Sequence, residues 1–481
     1  MKQLRFWALA GIAAIAACSD PSQNDPLAPS GAEPVSVGSA VARVVSSNDA
    51  GPGSFRAAVE AANSDGSIRV IRFDSGLAPI QLQQPVVYTG AQALRIEGND
   101  AVLDGTGLDP AADAAFLANG GSDLAISRLA VRNAPQEGIE IDIPAGSSGI
   151  KKFVLDEVGA FANRGFGVLI NDQANPEDAE DPAGSAASLD VTVTGSRFDD
   201  NGFAALDRDG LRINEGGDGD LVVSISKSSA ADNGADGIEL DERGLGDVRF
   251  RVAHSQFTGN GSFDQTLADL DDGIDVDESN EGSLIGTVLQ SSANDNKEEG
   301  FDFNENHAGG LRVDFTQSEA SRNLEEGIDL EEDDDFQGGG DLIARLVGTT
   351  TDGNGPGGDA GLKIRERGEG NLETDVRNAE SNGNAIGGIS IREDAGGSLQ
   401  ASLVQITTNG NASHGMDFDE NSTGDLTASV TSSRSLSNGG AGVRADQQLP
   451  GLGTLALTAT TLAGNAGGSV IGGGVTVTQG P

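Results

Sequence analysis

The 481-residue chain is strongly acidic, because 75 Asp and Glu residues outnumber 30 Lys and Arg residues and give a formal net charge of −45. Such a surface repels nucleic acids and anionic membranes, so the composition argues against DNA or RNA binding and favours cations or basic proteins as partners. With 37% hydrophobic residues and 70 Gly, the chain is expected to be ordered and rich in turns.

The first residues have the pattern of a secretory signal. Two basic residues precede the apolar run 6–14, which is too short to span a bilayer. The run ends in Ile-Ala-Ala-Cys, and Cys18 is the only cysteine of the chain. This ending resembles the lipobox of bacterial lipoproteins, which implies a signal peptide over 1–17 and a lipidated Cys18. A structural thiol is the alternative, but no second cysteine exists to form a disulfide.

The lipobox resemblance implies a location in the cell envelope, with the membrane contacted through the N-terminal lipid. Ser19 follows the cysteine, where Asp would favour inner-membrane retention in some bacteria, so an outer-membrane or cell-surface address is favoured. Residues 18–39 are polar and contain four prolines, which predicts a flexible tether.

A short helix is predicted within the next segment, 40–69. Ser54 suits the N-cap position, and the apolar residues that follow share one helical face, namely Phe55, Ala58, Val59 and Ala62. This helix would cover the open end of the first repeat and shield its edge from other sheets.

Internal repeats dominate the remainder, 70–481. A Gly followed by alternating apolar residues recurs nine times, and six of the eight intervals are 27 residues. The period of two indicates strands, and each repeat has room for three strands and three turns. That is one coil of a parallel β-helix, with coils stacked about 4.8 Å apart. The repeat glycines are Gly210, Gly237, Gly273, Gly300, Gly327, Gly361, Gly388, Gly415 and Gly442.

A column of asparagines follows the same repeat. Stacked Asn side chains can bond to one another and to the backbone of their own turn, so the column predicts a ladder that closes one corner of each coil. Its members are Asn233, Asn260, Asn296, Asn323, Asn354, Asn384, Asn411 and Asn438, with Asn133, Asn163, Asn201 and Asn465 as extensions.

The Asn-x-x-x-Gly-Ile periodicity, as in 233–238, resembles the right-handed parallel β-helix superfamily that includes pectate lyases and polygalacturonases. The resemblance implies an all-β, right-handed parallel β-helix over 70–481. The segment 47–63 likewise resembles the part that leads into the β-helix in many bacterial cell-surface proteins.

The carboxylates can be sorted by their position after the repeat Gly. Positions one and three are apolar and point inward, so positions two and four are expected to face solvent. The coils that begin at Gly237 to Gly327 then present an acidic face two columns wide. Arg212 bounds this face on one side, and Lys363 and Arg365 bound it on the other.

Position five is a Glu in eight successive coils and is predicted to turn inward at a corner. There a carboxylate can accept bonds from the N–H groups of the next turn. Charges about 4.8 Å apart repel by about 1 kcal/mol in water and about 3 to 4 at an effective dielectric of 20. Backbone donors, partial protonation or cations must offset this. The column is Glu215, Glu242, Glu278, Glu305, Glu332, Glu366, Glu393 and Glu420, followed by Gln447.

A loosely held Ca²⁺ is a further hypothesis for the acidic face, because carboxylate oxygens are the ligands that Ca²⁺ prefers. The rival interpretation is a solvated acidic surface. The stretch 269–278 does not match an EF-hand loop. The candidate ligands are Asp271, Asp272, Asp275, Asp277, Asp302 and Asp329.

Two functions remain open from the sequence. The first is a surface-anchored binding or structural module that contacts extracellular polysaccharide, cations or basic protein surfaces. The second is a polysaccharide lyase or glycoside hydrolase, as the resemblance implies. Residues 271–275 and 413–415 invite comparison with the catalytic Asp and His residues of such hydrolases. They lie about 24 Å apart along the coils, which is too far for one pair of catalytic carboxylates. Stacking also predicts ordinary ion pairs of Asp329 with Lys363 and of Glu331 with Arg365.

Overall fold

The computed structural model of the chain describes residues 40–174, 182–203, 207–262, 272–332 and 339–481. The predicted signal peptide, the lipidation site Cys18, the tether and the candidate ligand Asp271 lie outside these ranges. The strands pair in parallel, coil upon coil, so the predicted parallel β-helix of about 27 residues per coil is confirmed. Within the described residues no helix has the length and apolar character needed to cross a membrane.

Sheet 1 contains the strands that follow the repeat glycines and their earlier counterparts. It has 14 strands, whose odd-numbered positions after the glycine fill the core. In chain order they are Val86–Tyr88, Ala114–Ala118, Glu137–Asp142, Val168–Asn171, Leu211–Glu215, Ile238–Glu242, Ile274–Glu278, Phe301–Glu305, Ile328–Glu332, Ala360–Glu366, Gly387–Glu393, Met416–Glu420, Val443–Gln447 and Val470–Gly473.

Sheet 2 contains the longer second strands. They are Ala40–Val44, Ile68–Phe73, Leu94–Asp104, Leu124–Arg132, Ser148–Asp156, Ala186–Thr194, Leu221–Ser226, Val248–Ala253, Leu284–Leu289, Leu311–Thr316, Leu342–Val347, Leu372–Arg377, Leu399–Val404, Leu426–Thr431, Gly453–Thr458 and Val475–Gly480. The first of these lies in the segment assigned to the cap, and it already pairs with the second. The short strand Ile80–Gln81 pairs with the second half of Leu94–Asp104, in the position of sheet 3.

Sheet 3 contains the short third strands. Strand Leu124–Arg132 pairs with a strand of sheet 2 through one half and with Gly159–Phe161 through the other, so sheets 2 and 3 are continuous there. In the coils around Glu319, Thr350 and Glu380 the third strand is reduced to single bridges. Its strands are Gly159–Phe161, Arg197–Asp199, Ser229–Ala231, Gln256–Thr258, Ser292–Asn294, Thr407–Asn409, Arg434–Leu436 and Thr461–Ala463.

The α-helix Phe55–Ser64 covers the first coil. The Ser54 side chain accepts a hydrogen bond from the Ala57 N–H (3.2 Å), as expected of an N-cap. The Phe55 ring packs on those of Phe73 and Phe116, with centroids 5.1 and 5.8 Å away. A 3₁₀ turn, Gly105–Gly107, is the other helical element among the described residues.

The asparagine column forms a hydrogen-bonded ladder. The Asn233 amide donates to Oδ1 of Asn260 at 3.0 Å, and comparable bonds continue along the corner. A Cβ added at Gly237 would lie 2.4 Å from the Gly273 carbonyl oxygen and 2.7 Å from Nδ2 of Asn260. The Asn-x-x-x-Gly pattern therefore reflects direct contact between the two columns.

The backbone at the ladder has two further features. The left-handed backbone belongs to the residue before each Asn, such as Asp232 (φ 55°), and not to the Asn itself. Asn133 occupies that preceding position, so Ala134 takes the place in the column and its N–H donates to Oδ1 of Asn163 (3.0 Å).

Aromatic rings fill the core behind the acidic face. Phe250 and Phe303 meet edge to face with centroids 4.8 Å apart, and Phe301 meets Phe315 at 5.4 Å. Each such pair contributes about 0.5–1.5 kcal/mol beyond burial. Because Phe301 and Phe303 flank Asp302 on one strand, this packing holds the carboxylate in a fixed position.

Candidate metal centre

The outward columns of sheet 1 stack in the predicted register, with Asp275, Asp302 and Asp329 as consecutive partners. The expectation that these columns face solvent is wrong for five of the eight residues of the acidic face, which are buried, namely Glu239, Asp241, Asp302, Asp329 and Glu331. Asp302 is 8% exposed, Asp329 4% and Glu331 7%. Carboxylates of adjacent coils cover one another, and basic side chains from neighbouring coils lie over them.

A second acidic column lies at the entrance to sheet 1, immediately before the repeat Gly. We call it the entrance column; its members are Asp209, Asp236, Asp272, Glu299 and Glu326. Asp209 accepts the backbone N–H of Asp236 (3.0 Å), and Asp272 accepts that of Glu299 (2.6 Å). This column was not among the sites predicted from the sequence, although an acidic residue recurs before Gly at the interval of the repeat.

The entrance column and the outward columns meet at a cluster formed by Asp272, Asp275 and Asp302. One carboxylate oxygen from each of the three lies within 4.8 Å of the others. Asp272 is 3% exposed. Glu298 and Glu299 form a second group with Asp272 by the same criterion, so Asp272 is common to both.

The strongest charges acting on Asp272 and Glu299 are negative, while the Arg243 guanidinium acts on Asp275. Burial raises the pKa of Asp272 well above its usual value, and the carboxylates of Asp236, Asp302 and Asp275 raise it further. The pKa of Glu299 is raised in the same way, by burial and then by Asp272 and Asp302. In the absence of a cation, protons are what neutralise such a site.

The neighbouring cluster nearer the N-terminus contains its own cation. Arg212 lies 2.6 Å from Asp207, 2.5 Å from Glu239 and 2.9 Å from Asp241. The guanidinium is buried, and its five N–H donors suit several carboxylates at once. The chain itself therefore supplies this group with a buried positive charge.

The cluster on the other side contains Lys363. Its Nζ lies 2.7 Å from Asp329 and 2.5 Å from Glu331, so the predicted pair with Asp329 is present. The predicted pair of Glu331 with Arg365 is absent, because Arg365 turns to Asp394 (2.5 Å) and Glu331 contacts Arg367 (2.8 Å). The strand register determines which residues are neighbours in the sheet. It does not determine which of several nearby carboxylates a long basic side chain contacts.

The six predicted ligands therefore separate into three groups. Asp272, Asp275 and Asp302 come together, while Asp277 lies 3.3 Å from Arg243 and Asp329 is paired with Lys363. Asp271 lies outside the described residues. Three carboxylates supply hard oxygen ligands, and Ca²⁺ completes its six to eight positions with water or ligand oxygens.

The corner glutamates all point inward and are fully buried, from Glu215 to Glu420. Turn N–H groups donate to six of the eight, for example Gly244 to Glu242 (2.9 Å), Gly282 to Glu278 (3.0 Å) and Ser422 to Glu420 (3.0 Å). The other donors are those to Glu305, Glu332 and Glu393. The column thus occupies the structural position that its spacing predicts.

The residues considered for catalysis have structural partners. His414 stands immediately before Gly415, in line with the entrance column, and its Nδ1 accepts the Ala441 N–H at 2.9 Å. Burial lowers the pKa of Lys363, but Asp329, Glu331 and Glu326 outweigh this and hold the pKa above its usual value. An ammonium so stabilised is a poor base at neutral pH.

Comparison with known proteins shows no family for this chain. No family model matches the chain, and no curated protein matches its sequence. Similar solved structures include pectate lyase Pel9A, with 16% identity and a TM-score of 0.41, covering 72% of this chain and 80% of that one. The periplasmic alginate epimerase AlgG has 13% identity and a TM-score of 0.30, covering 89% of both chains. The Dettilon tailspike protein has 14% identity and a TM-score of 0.37, covering 87% of this chain and 64% of that one.

Proposed function

We propose that this protein is a lipid-anchored β-helix of the cell envelope that binds a divalent cation, with Ca²⁺ as the candidate, at Asp272, Asp275 and Asp302. The observation that supports this proposal most directly is that three carboxylates lie close together. The strongest charges acting on Asp272 are also carboxylates. The equivalent clusters on either side contain Arg212 and Lys363.

Electrostatics supports this proposal. Two carboxylates about 4.8 Å apart repel by about 3 to 4 kcal/mol at an effective dielectric of 20, and the cluster contains three such pairs. A divalent cation bound between the carboxylates attracts all three of them and so offsets their mutual repulsion. Because the ligands must be deprotonated, binding the cation releases the protons that otherwise neutralise the site.

The bound cation gives a physical route to an acidic partner. A net charge of −45 repels anionic polysaccharide, so direct contact is unfavourable without a counterion. Asp275 is only partly buried, so a cation held there keeps coordination positions on the solvent side. We therefore propose that extracellular acidic polysaccharide binds through the cation, at the cell surface.

Calorimetry with the full-length protein tests the cation site. Titration with CaCl₂ is expected to give saturable binding, and thermal unfolding is expected to shift to higher temperature with Ca²⁺ and back with EDTA. Asp275→Asn should weaken both effects. Asp314→Asn, on the outer face of sheet 2 and equally half-buried, is the matched control and should leave them unchanged. Equal responses in the two variants, or none in the wild type, would overturn the proposal.

A further inference from the structure

The corner column of eight glutamates contains two members that differ from the rest. Neither carboxyl oxygen of Glu215 or of Glu366 accepts a hydrogen bond from an N–H group, although both side chains are fully buried. Glu366 lies in register between Glu332 and Glu393, and Glu215 lies beside Glu242. Each of the two therefore has carboxylates where its neighbours have backbone donors.

An ionised carboxylate is unfavourable in either place. It would be desolvated without a donor and would face one or two like charges about 4.8 Å away, each costing about 3 to 4 kcal/mol at an effective dielectric of 20. A protonated carboxylic acid removes the charge and supplies an O–H donor. That O–H can be given to the adjacent carboxylate, which turns the repulsion into a hydrogen bond.

We infer that Glu366 and Glu215 are proton-binding sites that remain protonated at neutral pH and donate their O–H to the adjacent glutamates of the corner column. The corner is then a chain of acid and carboxylate groups, in which backbone N–H groups serve the ionised members. Glu366 then separates the charges of Glu332 and Glu393, and Glu215 stands at the first position of the column.

The charged groups that act most strongly on the two sites are acidic. Glu332 and Glu393 face Glu366 from the preceding and following strands, while Glu242, Asp172 and Asp220 act on Glu215. Burial, with the hydrogen bonds to these neighbours, raises the pKa of Glu366 to about 12 and that of Glu215 to about 11. The partners Glu242 and Glu393, which accept backbone N–H groups, have a pKa raised to about 7, chiefly by burial.

Gln447, the last member of the column, already has the chemistry that we assign to Glu366. Its amide accepts the Leu426 N–H at 2.7 Å and donates to the carbonyl oxygens of Gly424 and Gln448, at 3.0 and 2.8 Å. A neutral group that both donates and accepts is therefore accommodated at this corner. Glu366→Gln reproduces it without a proton to lose.

The pH dependence of stability has a definite sign. These carboxyl groups bind protons more tightly in the folded state than in the unfolded chain, where the pKa is near 4.5. Their stabilising contribution is complete below about pH 4.5 and is lost as the pH rises through the folded-state values. For Glu242 and Glu393 that loss begins above about pH 4.5 and is complete once the pH has passed about 7.

Infrared spectroscopy and thermal unfolding of the full-length protein test the inference. The C=O stretch of protonated carboxylic acid is expected in the wild type at pH 8 and should be weaker in Glu366→Gln and Glu215→Gln. The melting temperature should fall from pH 5 to pH 9, and it should fall less in Glu366→Gln. Glu420 accepts a hydrogen bond from the Ser422 N–H. The variant Glu420→Gln should therefore keep the wild-type infrared band.

Two outcomes would overturn the inference. The first is the absence of a protonated band in the wild type at pH 8, a measurement that does not depend on any variant folding. The second is an equal loss of the band in Glu366→Gln and Glu420→Gln.

Discussion

Two acidic clusters on sheet 1, two coils apart, are built on equivalent strand positions but differ in the basic side chains that contact them. In the first, Asp207, Asp209, Asp236 and Glu239 come within ligand distance of one another around Arg212. In the second, Asp272, Asp275 and Asp302 come equally close, and Asp275 stands at the strand position that Arg212 has in the first. One residue per coil thus decides whether the chain places a cation within the cluster, as Arg212 does, or beside it, as Arg243 does near Asp275 and Asp277.

Removal of Arg212 should have the largest effect. Arg212→Ala leaves buried carboxylates without their guanidinium, which typically costs about 3–5 kcal/mol. Urea denaturation measures the loss, and added CaCl₂ should recover part of it because the variant cluster now resembles the second one. Arg312→Ala, an exposed arginine of sheet 2, is the control and should change stability little. Equal losses in both variants would contradict the role assigned to Arg212.

The reverse exchange should remove the dependence on metal. Asp302→Lys places an ammonium between Asp275 and Asp329, which are the partners of residue 302 on the two adjacent strands of sheet 1. At 100 times the dissociation constant, Ca²⁺ should stabilise the wild type by about 2.7 kcal/mol, and this increment should vanish in the variant. Melting curves with CaCl₂ and with EDTA measure it. Retention of the full Ca²⁺ shift by Asp302→Lys would show that the cation binds elsewhere.

Acidification should weaken cation binding at the second cluster. Because burial and neighbouring carboxylates raise the pKa of Asp272, protons compete with the metal well above pH 4. The apparent affinity should fall by up to about tenfold per pH unit for each proton released. Calorimetric titration at pH 8, 7 and 6 measures the slope. A flat pH profile would mean that Asp272 is not a ligand.

The smallest expected effect concerns catalysis. With Lys363 ion-paired to Asp329 and Glu331, no unsaturated product is expected when the protein is incubated with uronic-acid polymers and Ca²⁺. Ultraviolet absorbance follows the reaction, and a known lyase serves as the positive control. Steady product formation would replace the binding role with a lyase activity and would direct attention to the Lys363 cluster.

Much of the architecture was predictable because the repeat is enforced by contact. The interval between glycines fixes the coil, the asparagines fix one corner, and the uniform glutamate at position five fixes another. Each of these residues meets its own counterpart in the next coil, so a local pattern carries a three-dimensional meaning. Alternation likewise identified which residues point outward.

Alternation does not determine how deeply an outward residue is covered. Asp329 and Glu331 are buried because Lys363 and Arg367 reach over them from later in the chain. A long basic side chain selects among several carboxylates by geometry, which explains why Arg365 contacts Asp394 instead of Glu331. The entrance column escaped notice because its residues precede the glycine, where the strand pattern has not yet begun.

The contact between Gly237 and the next coil also bears on how such a rod can change in length. A side chain at Gly237 would collide with the Gly273 carbonyl oxygen and with Asn260, so point substitution there is strongly opposed. Insertion or loss of a whole coil preserves every such contact and moves the end of the rod by about 4.8 Å. Duplication of complete repeats is therefore the favourable route to variation, and each new coil brings its own corner glutamate and its own choice of counterion.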